Sequence, residues 1–223
     1  METTQAIHSW RSIRKYRPDP VPDDVLRKVL EAGRRAPSWE NVQPWHFIVI
    51  ADDAVKEKLR ELARGQRHVA SAPAVIACCG DVGAWDKKKN RAALMELIEA
   101  GVMKATEQTV DNVLLKDPMF CVAENGPAII LARTMEQLAI AYSFMAIEAV
   151  NHGLGMCMVG AFGNEATRGG EELYNEVRSI LRLPADHYLL ALLTVGYPAE
   201  EPPARPRKPF DAVVSRGAFG VKF

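Results

Sequence analysis

The stretch from Thr134 to His152 constrains this chain more than any other. Leu138, Ile140, Tyr142, Phe144, Met145, Ile147 and Val150 fall on nearly every side of a helix at 3.6 residues per turn. A helix apolar all round has no face for water and is buried. The spacing of Thr134 and Gln137 matches a capping box and predicts the helix start there, with Gly153 as the stop. The rest of the fold must therefore be built around this element, at the centre or across a subunit interface.

Three short apolar runs supply strands to pack on it. They are His46 to Ala51, Pro73 to Cys79 and Tyr188 to Val195, with Met156 to Phe162 as a further strand end. Other segments read as helices: Thr4 to Trp10, a second opening at Val21-Pro22-Asp23-Asp24 and halted by Pro37, Val55 to Arg64, and Glu165 to Leu181. Residues 85–127 are the least patterned, though Leu94, Leu97, Ile98 and Val102 have helical spacing. The segment reads as an insertion that covers or lines a site. After Gly196 the tail 197–223 is rich in proline and charge, yet it ends in Phe210, Val213, Val214, Phe219, Val221 and Phe223, which need burial.

With 223 residues and no linker-like stretch, one domain is expected. The 28 basic and 28 acidic residues cancel, which removes any general attraction to nucleic acid or acidic membrane. No apolar stretch is long enough to span a bilayer, and the N-terminus is polar, so the expectation is a cytoplasmic protein without membrane or nucleic-acid partners. Cys78, Cys79, Cys121 and Cys157 form no Cys-x-x-Cys pair, and the five histidines form no spaced cluster, so no metal is expected. No Ser-His-Asp order and no nucleophile stand out.

Two punctuated segments carry the chemistry. Arg11-Ser12-Ile13-Arg14 clusters two guanidiniums around a hydroxyl, the donor set that a phosphate monoester requires. Pro37-Ser38-Trp39-Glu40-Asn41-Val42-Gln43-Pro44-Trp45 sets small polar groups beside indoles in a Pro-bounded loop, which suits a flat ring with a heteroatom edge. Together they suggest a mononucleotide-like cofactor. The run Gly153 to Gly160 begins Gly-x-Gly but has Met158 in place of a third glycine and ends a helix rather than opening one, so it is not a dinucleotide fingerprint.

In order and spacing these motifs resemble the nitroreductase family of flavin mononucleotide (FMN) enzymes. The likeness extends through Gly153-Leu154-Gly155-Met156-Cys157-Met158-Val159-Gly160-Ala161-Phe162, Gly196-Tyr197-Pro198 and Arg207-Lys208-Pro209, over roughly residues 5 to 215. The resemblance implies an α+β fold with a mixed, mainly antiparallel sheet flanked by helices, in an intertwined homodimer that exchanges C-terminal arms. It implies that Arg11, Ser12 and Arg207 hold the phosphate and that Arg14 lies near the ribityl chain or the ring's N1/C2 edge. It places Arg67 at the N1/O2 edge, the backbone of Val159, Gly160 and Ala161 by N5 and O4, and Pro37, Ser38 and Asn41 on the flavin from the second subunit. Gln43 fixes the loop, and Trp39 and Glu40 stand where many members have small residues.

The implied activity is ping-pong transfer of two electrons from NADH or NADPH to a nitroaromatic, quinone or enone, with no side chain committed as acid or base. The alternatives are a specialised relative (a reductive dehalogenase or a flavin-fragmenting enzyme), a non-catalytic flavin-binding regulator, and an empty structural dimer. The dehalogenase lid carries a tyrosine, and the stretch from Asp86 to Pro118 has none.

Overall fold

The computed structural model describes residues 2–160, 162 and 171–223. The three apolar runs form strands at the predicted places: β1 Trp45–Ile50, β2 Ala74–Asp81 and β4 His187–Gly196, with β3 at Gly155–Val159. They make one sheet in the order β1-β2-β4-β3. Every ladder in it is antiparallel. The mixed sheet expected from the resemblance is thus corrected: among the described residues, parallel pairing is confined to one isolated bridge, Ser12 to Met156. The chain leaving β2 crosses over to the edge strand β3 through the helices of residues 85–151, and β4 then inserts between them, antiparallel to both.

β2 reads as a continuous apolar run because both of its faces are covered. Val75, Ala77 and Cys79 face one cluster with Leu59 and Leu62 of helix α3 (Asp53–Leu62) and Tyr174 and Val177 of α8 (Glu171–Ile180). Ile76 and Cys78 face the other, with Leu26 and Val29 of α2 (Asp23–Arg34) and Leu138, Met145 and Ala149 of α7 (Pro127–Asn151). Each of these helices presents apolar side chains to the sheet. Gly33 lets α2 approach α7 closely, since a Cβ there would lie 2.2 Å from Met145 Cε.

α7 starts about two turns before the predicted capping box. The real start is Gly126-Pro127, with Gly126 at φ +80° and Pro127 in the first turn. Thr134 is instead wholly buried in mid-helix. Its hydroxyl donates to Ile130 O at 2.8 Å and accepts from Trp85 Nε1 at 2.8 Å. The predicted stop holds: Gly153, at φ +68°, follows the last turn. Several apolar side chains of α7 stay uncovered in the single chain, with Ile129, Met135 and Phe144 43–49% exposed. No helix among the described residues is long and apolar enough to cross a membrane.

The segment 85–127 forms α5 (Lys87–Glu99), a short α6 (Glu107–Thr109) running into a π-type turn (Val110–Leu114), and a turn at Val122–Asn125. It has its own small core of Leu94, Val110 and Leu115. Arg91 clamps it by binding both carboxylate oxygens of Asp111, at 2.6 and 3.0 Å, and by pairing with Glu107. The remaining short helices are α1 (Thr3–Ser9) and α4 (Arg67–Ser71).

Candidate functional site

The segment after α1 is held against the edge strand β3. Ile13 N–H donates to Met156 O at 3.0 Å, beside the Ser12–Met156 bridge. Gly155 makes this approach possible, because a Cβ there would lie 2.5 Å from Ile13 Cγ1. Tyr16 locks the far end: its hydroxyl lies 2.6 Å from both Ile13 O and Thr194 Oγ1. Burial pushes the Tyr16 phenol pKa up, so it stays a neutral hydrogen-bonding group.

The tail then runs antiparallel along the same segment. Arg17 N–H donates to Tyr197 O and Ala199 N–H to Lys15 O, each at 2.9 Å. Glu200 closes the pairing by accepting the backbone N–H groups of Arg14 (2.6 Å) and Lys15 (3.1 Å) on one carboxylate oxygen.

Between these strands of chain lies a cavity of about 390 Å³. Arg11, Ser12, Arg14, Arg67 and Arg207, five residues that the sequence singled out from three distant segments, all line it. So do Trp10, Lys15, His68, Glu200 and Arg205, which sequence reasoning did not select. Six basic side chains thus surround one carboxylate, and the cavity favours an anion. Arg11 is already oriented: its Nη1 donates to His8 O and Trp10 O, both at 2.7 Å, leaving the rest of its guanidinium fork clear of these carbonyls. Burial raises the pKa of the Cys157 thiol despite the nearby Arg14 and Arg205, so it is uncharged rather than a nucleophile.

Two polar atoms at this cavity lack partners. Trp10 Nε1 and His68 Nε2 are inaccessible to water and make no hydrogen bond. Burial, and then the Arg14 charge, lowers the His68 pKa, which keeps its ring neutral.

The loop of Pro37, Ser38 and Asn41 does not line this cavity. Only Trp39 of this loop borders a separate depression, with Met119, Val122, Ile129 and Arg133. Its backbone is strained, with Glu40, Asn41 and Gln43 at φ +48°, +56° and +48°. Gln43 does fix it: its N–H donates to Ser38 Oγ at 2.9 Å and its side-chain amide to Asn41 O at 3.4 Å. From outside, Gln137 Oε1 accepts Trp39 N–H at 2.8 Å, Arg133 covers the Trp39 ring at 5.5 Å, and Asn90 of α5 donates to Glu40 Oε2 at 2.9 Å.

Val159, at the end of β3, is buried, and Gly160 after it is open, with no atom within 4 Å of where a Cβ would stand. Neither lines the arginine cavity, and Ala161 lies outside the described residues.

Strand register makes one cluster that spacing did not disclose. Asp81 faces His187 across β2 and β4, and His187 Nδ1 lies 2.9 Å from Asp186 Oδ1 and 3.9 Å from Asp81 Oδ1. Lys89 reaches the carboxylates of Asp186 and Asp81, at 3.3 and 3.7 Å, and supplies the opposing charge.

Comparison with known proteins agrees with this geometry. The family model described as "Nitroreductase family" matches residues 7–197. A protein of Thermus thermophilus named NADH dehydrogenase is 36% identical over 214 residues, covering 96% of this chain and 95% of its own. A Bacillus subtilis protein named FMN reductase [NAD(P)H] is 29% identical over 95% of this chain and 72% of its own. In fold, a nitroreductase-like protein from Streptococcus mutans superposes with a TM-score of 0.77 at 19% identity, covering 95% of this chain and 96% of that one. The motifs, the arginine-lined cavity beside β3 and these matches together place the chain in the nitroreductase family.

Proposed function

We propose that the protein is an FMN-dependent oxidoreductase that passes two electrons from NADH or NADPH to a small organic acceptor, a nitroaromatic, quinone or enone, by a ping-pong route. The observation that carries this reading is the convergence of Arg11, Ser12, Arg14, Arg67 and Arg207 on one cavity. The relative named FMN reductase [NAD(P)H] supports the choice of cofactor and donor. The residues fit the group: the cavity is cationic, and two buried ring nitrogens, on Trp10 and His68 of its lining, lack hydrogen-bond partners.

Bound FMN would supply the electron transfer itself, which none of the side chains here can perform. In this reading Arg11, Ser12 and Arg207 hold the phosphate by charge-assisted hydrogen bonds. Arg14 and Arg67 place fixed positive charge near the ring's N1/O2 edge, which favours the more negative of the two redox states. Backbone groups at Val159 and Gly160, and Ala161 beyond them, border the ring. Gly160 leaves room above it for a flat donor or acceptor.

Pro37, Ser38 and Asn41 do not line the arginine cavity of their own chain, and in this reading they serve the cofactor of a second copy. The unit is in this reading an intertwined homodimer of single-domain subunits; the arm 197–223 begins against its own subunit, at Lys15–Arg17, and its end, 210–223, is laid over the partner, with the insertion 85–127 as the cover over the acceptor. The tie between Asn90 and Glu40 links that cover to the ring-binding loop.

The test is a visible spectrum of the purified protein followed by anaerobic addition of NADH or NADPH. A flavin band near about 450 nm that bleaches on addition is expected, with turnover once a quinone is added. A colourless protein that takes up no FMN overturns the reading, and a bleached protein that never turns over is a regulator.

A further inference from the structure

Most of the cavity's attraction for an anion is Coulombic and has little direction. Arg14, Lys15, Arg67, Arg205 and Arg207 are on long, exposed stems. His68 differs. It is 7% exposed, is held in α4 behind Arg67, and has a ring nitrogen with no partner at the wall of the same cavity. A buried polar atom left unpaired costs free energy in the folded chain. Such atoms persist where something outside the chain satisfies them.

Trp10 Nε1 repeats the observation from a different segment. An indole N–H can only donate, so whatever satisfies it is an acceptor. Six basic side chains around the same space make that acceptor an anion's oxygen. Glu200, the one carboxylate lining the cavity among the described residues, is already engaged by two backbone amides.

We propose that His68 Nε2–H and Trp10 Nε1–H, closed to water in the single chain, are uncharged donors that a small shift of their rings turns onto the phosphate of the bound mononucleotide. The inference rests on the FMN reading above and adds two residues to it. Their use is physical. A further cation would add to the repulsion among six neighbouring ones before any ligand arrives, whereas a neutral N–H adds direction without charge. Burial and the Arg14 charge keep the imidazole in that neutral state. Rigid rings set in the wall also lose less rotamer freedom on binding than an arginine does.

The test is titration of flavin-free protein with FMN and, separately, with riboflavin, which lacks the phosphate. His68→Phe is expected to weaken FMN by about tenfold, the usual worth of one such hydrogen bond, and to leave riboflavin within about twofold. His68→Gln, which keeps a donor, recovers part of the loss, and Trp10→Phe behaves as His68→Phe does. The flavin-free His68→Phe protein melts no lower than wild type, because the substitution removes an unsatisfied group. Unchanged FMN affinity in His68→Phe overturns the proposal, as does an equal loss for FMN and riboflavin. Wild-type protein that binds neither flavin defeats the cofactor reading itself, a distinct outcome.

Discussion

Gly155 shapes the site by what it lacks. Its missing Cβ lets Ile13, a buried β-branched side chain, seat against β3, and Ile13 in turn fixes where Arg11, Ser12 and Arg14 emerge. Ile13 has few rotamers with which to retreat. Gly155→Ala is therefore expected to destabilise the fold by about 1–3 kcal/mol in urea denaturation, the usual effect of overpacking. The same variant should bind FMN more weakly, because the shifted segment carries the cradle. Gly160→Ala is the control: with nothing within 4 Å of the added methyl, its stability should stay within about 0.5 kcal/mol of wild type. Equal losses in the two variants would mean that glycine flexibility, rather than the close approach to Ile13, sets the effect.

Among the elements, the loop Trp39–Asn41 and the helix α5 are joined by a carboxyl group held where its charge is unwelcome. Burial raises the Glu40 pKa, outweighing the hydrogen bonds from Asn90 and Trp39 that oppose it. A carboxylate whose pKa is higher folded than unfolded destabilises the fold once it ionises. Below the unfolded value of about 4.3 both states are protonated and nothing is lost. As pH rises through that value and on through the raised one, stability falls. Glu40→Gln keeps an oxygen for Asn90 Nδ2–H and removes the charge. It is expected to melt higher than wild type at about pH 7.5 and to converge with it at about pH 4. A difference that does not change with pH would refute this account of the loop.

The same scale shows what sequence can and cannot disclose. Strands β1, β2 and β4 are legible because apolar runs bounded by Pro, Gly or charge have few other fates. The start of α7 is not. Thr134 and Gln137 imitate a cap, and only the fold reveals Trp85 Nε1 aimed at the Thr134 hydroxyl. Arg11, Ser12 and Arg14 announce a phosphate by residue type. Trp10 and His68 announce nothing, since an unpaired ring nitrogen has no signature in spacing. The pairing of Asp81 with His187 exists only through the register of β2 on β4.

At the scale of the whole molecule, the proposed dimer follows from two separate features of a single chain. The Pro37–Asn41 loop does not line the arginine cavity of its own chain, and its Trp39 borders a separate depression, so one copy does not surround one ring with both. In addition, Phe210, Val213, Phe219, Val221 and Phe223 are 51–105% exposed, as are Ile129, Met135 and Phe144 of α7 at 43–49%. Aromatic side chains bury large areas and are rarely left to water in such number. Phe210 and Phe223 pack edge-on at 5.8 Å, which makes the arm's end a preformed apolar unit rather than a frayed one. A chain ending after Pro209 keeps Arg11, Arg14, Lys15, Arg67, Arg205 and Arg207, and so retains every cationic side chain that lines the cavity among the described residues. Sedimentation should show the full chain at twice 24.7 kDa and the shortened one as a monomer. The shortened chain should also lose FMN, because the second copy's Ser38 and Asn41 leave with the partner. A truncated chain that stays dimeric would remove the arm from the interface, and a monomer that still binds FMN tightly would show that one subunit's arginines suffice.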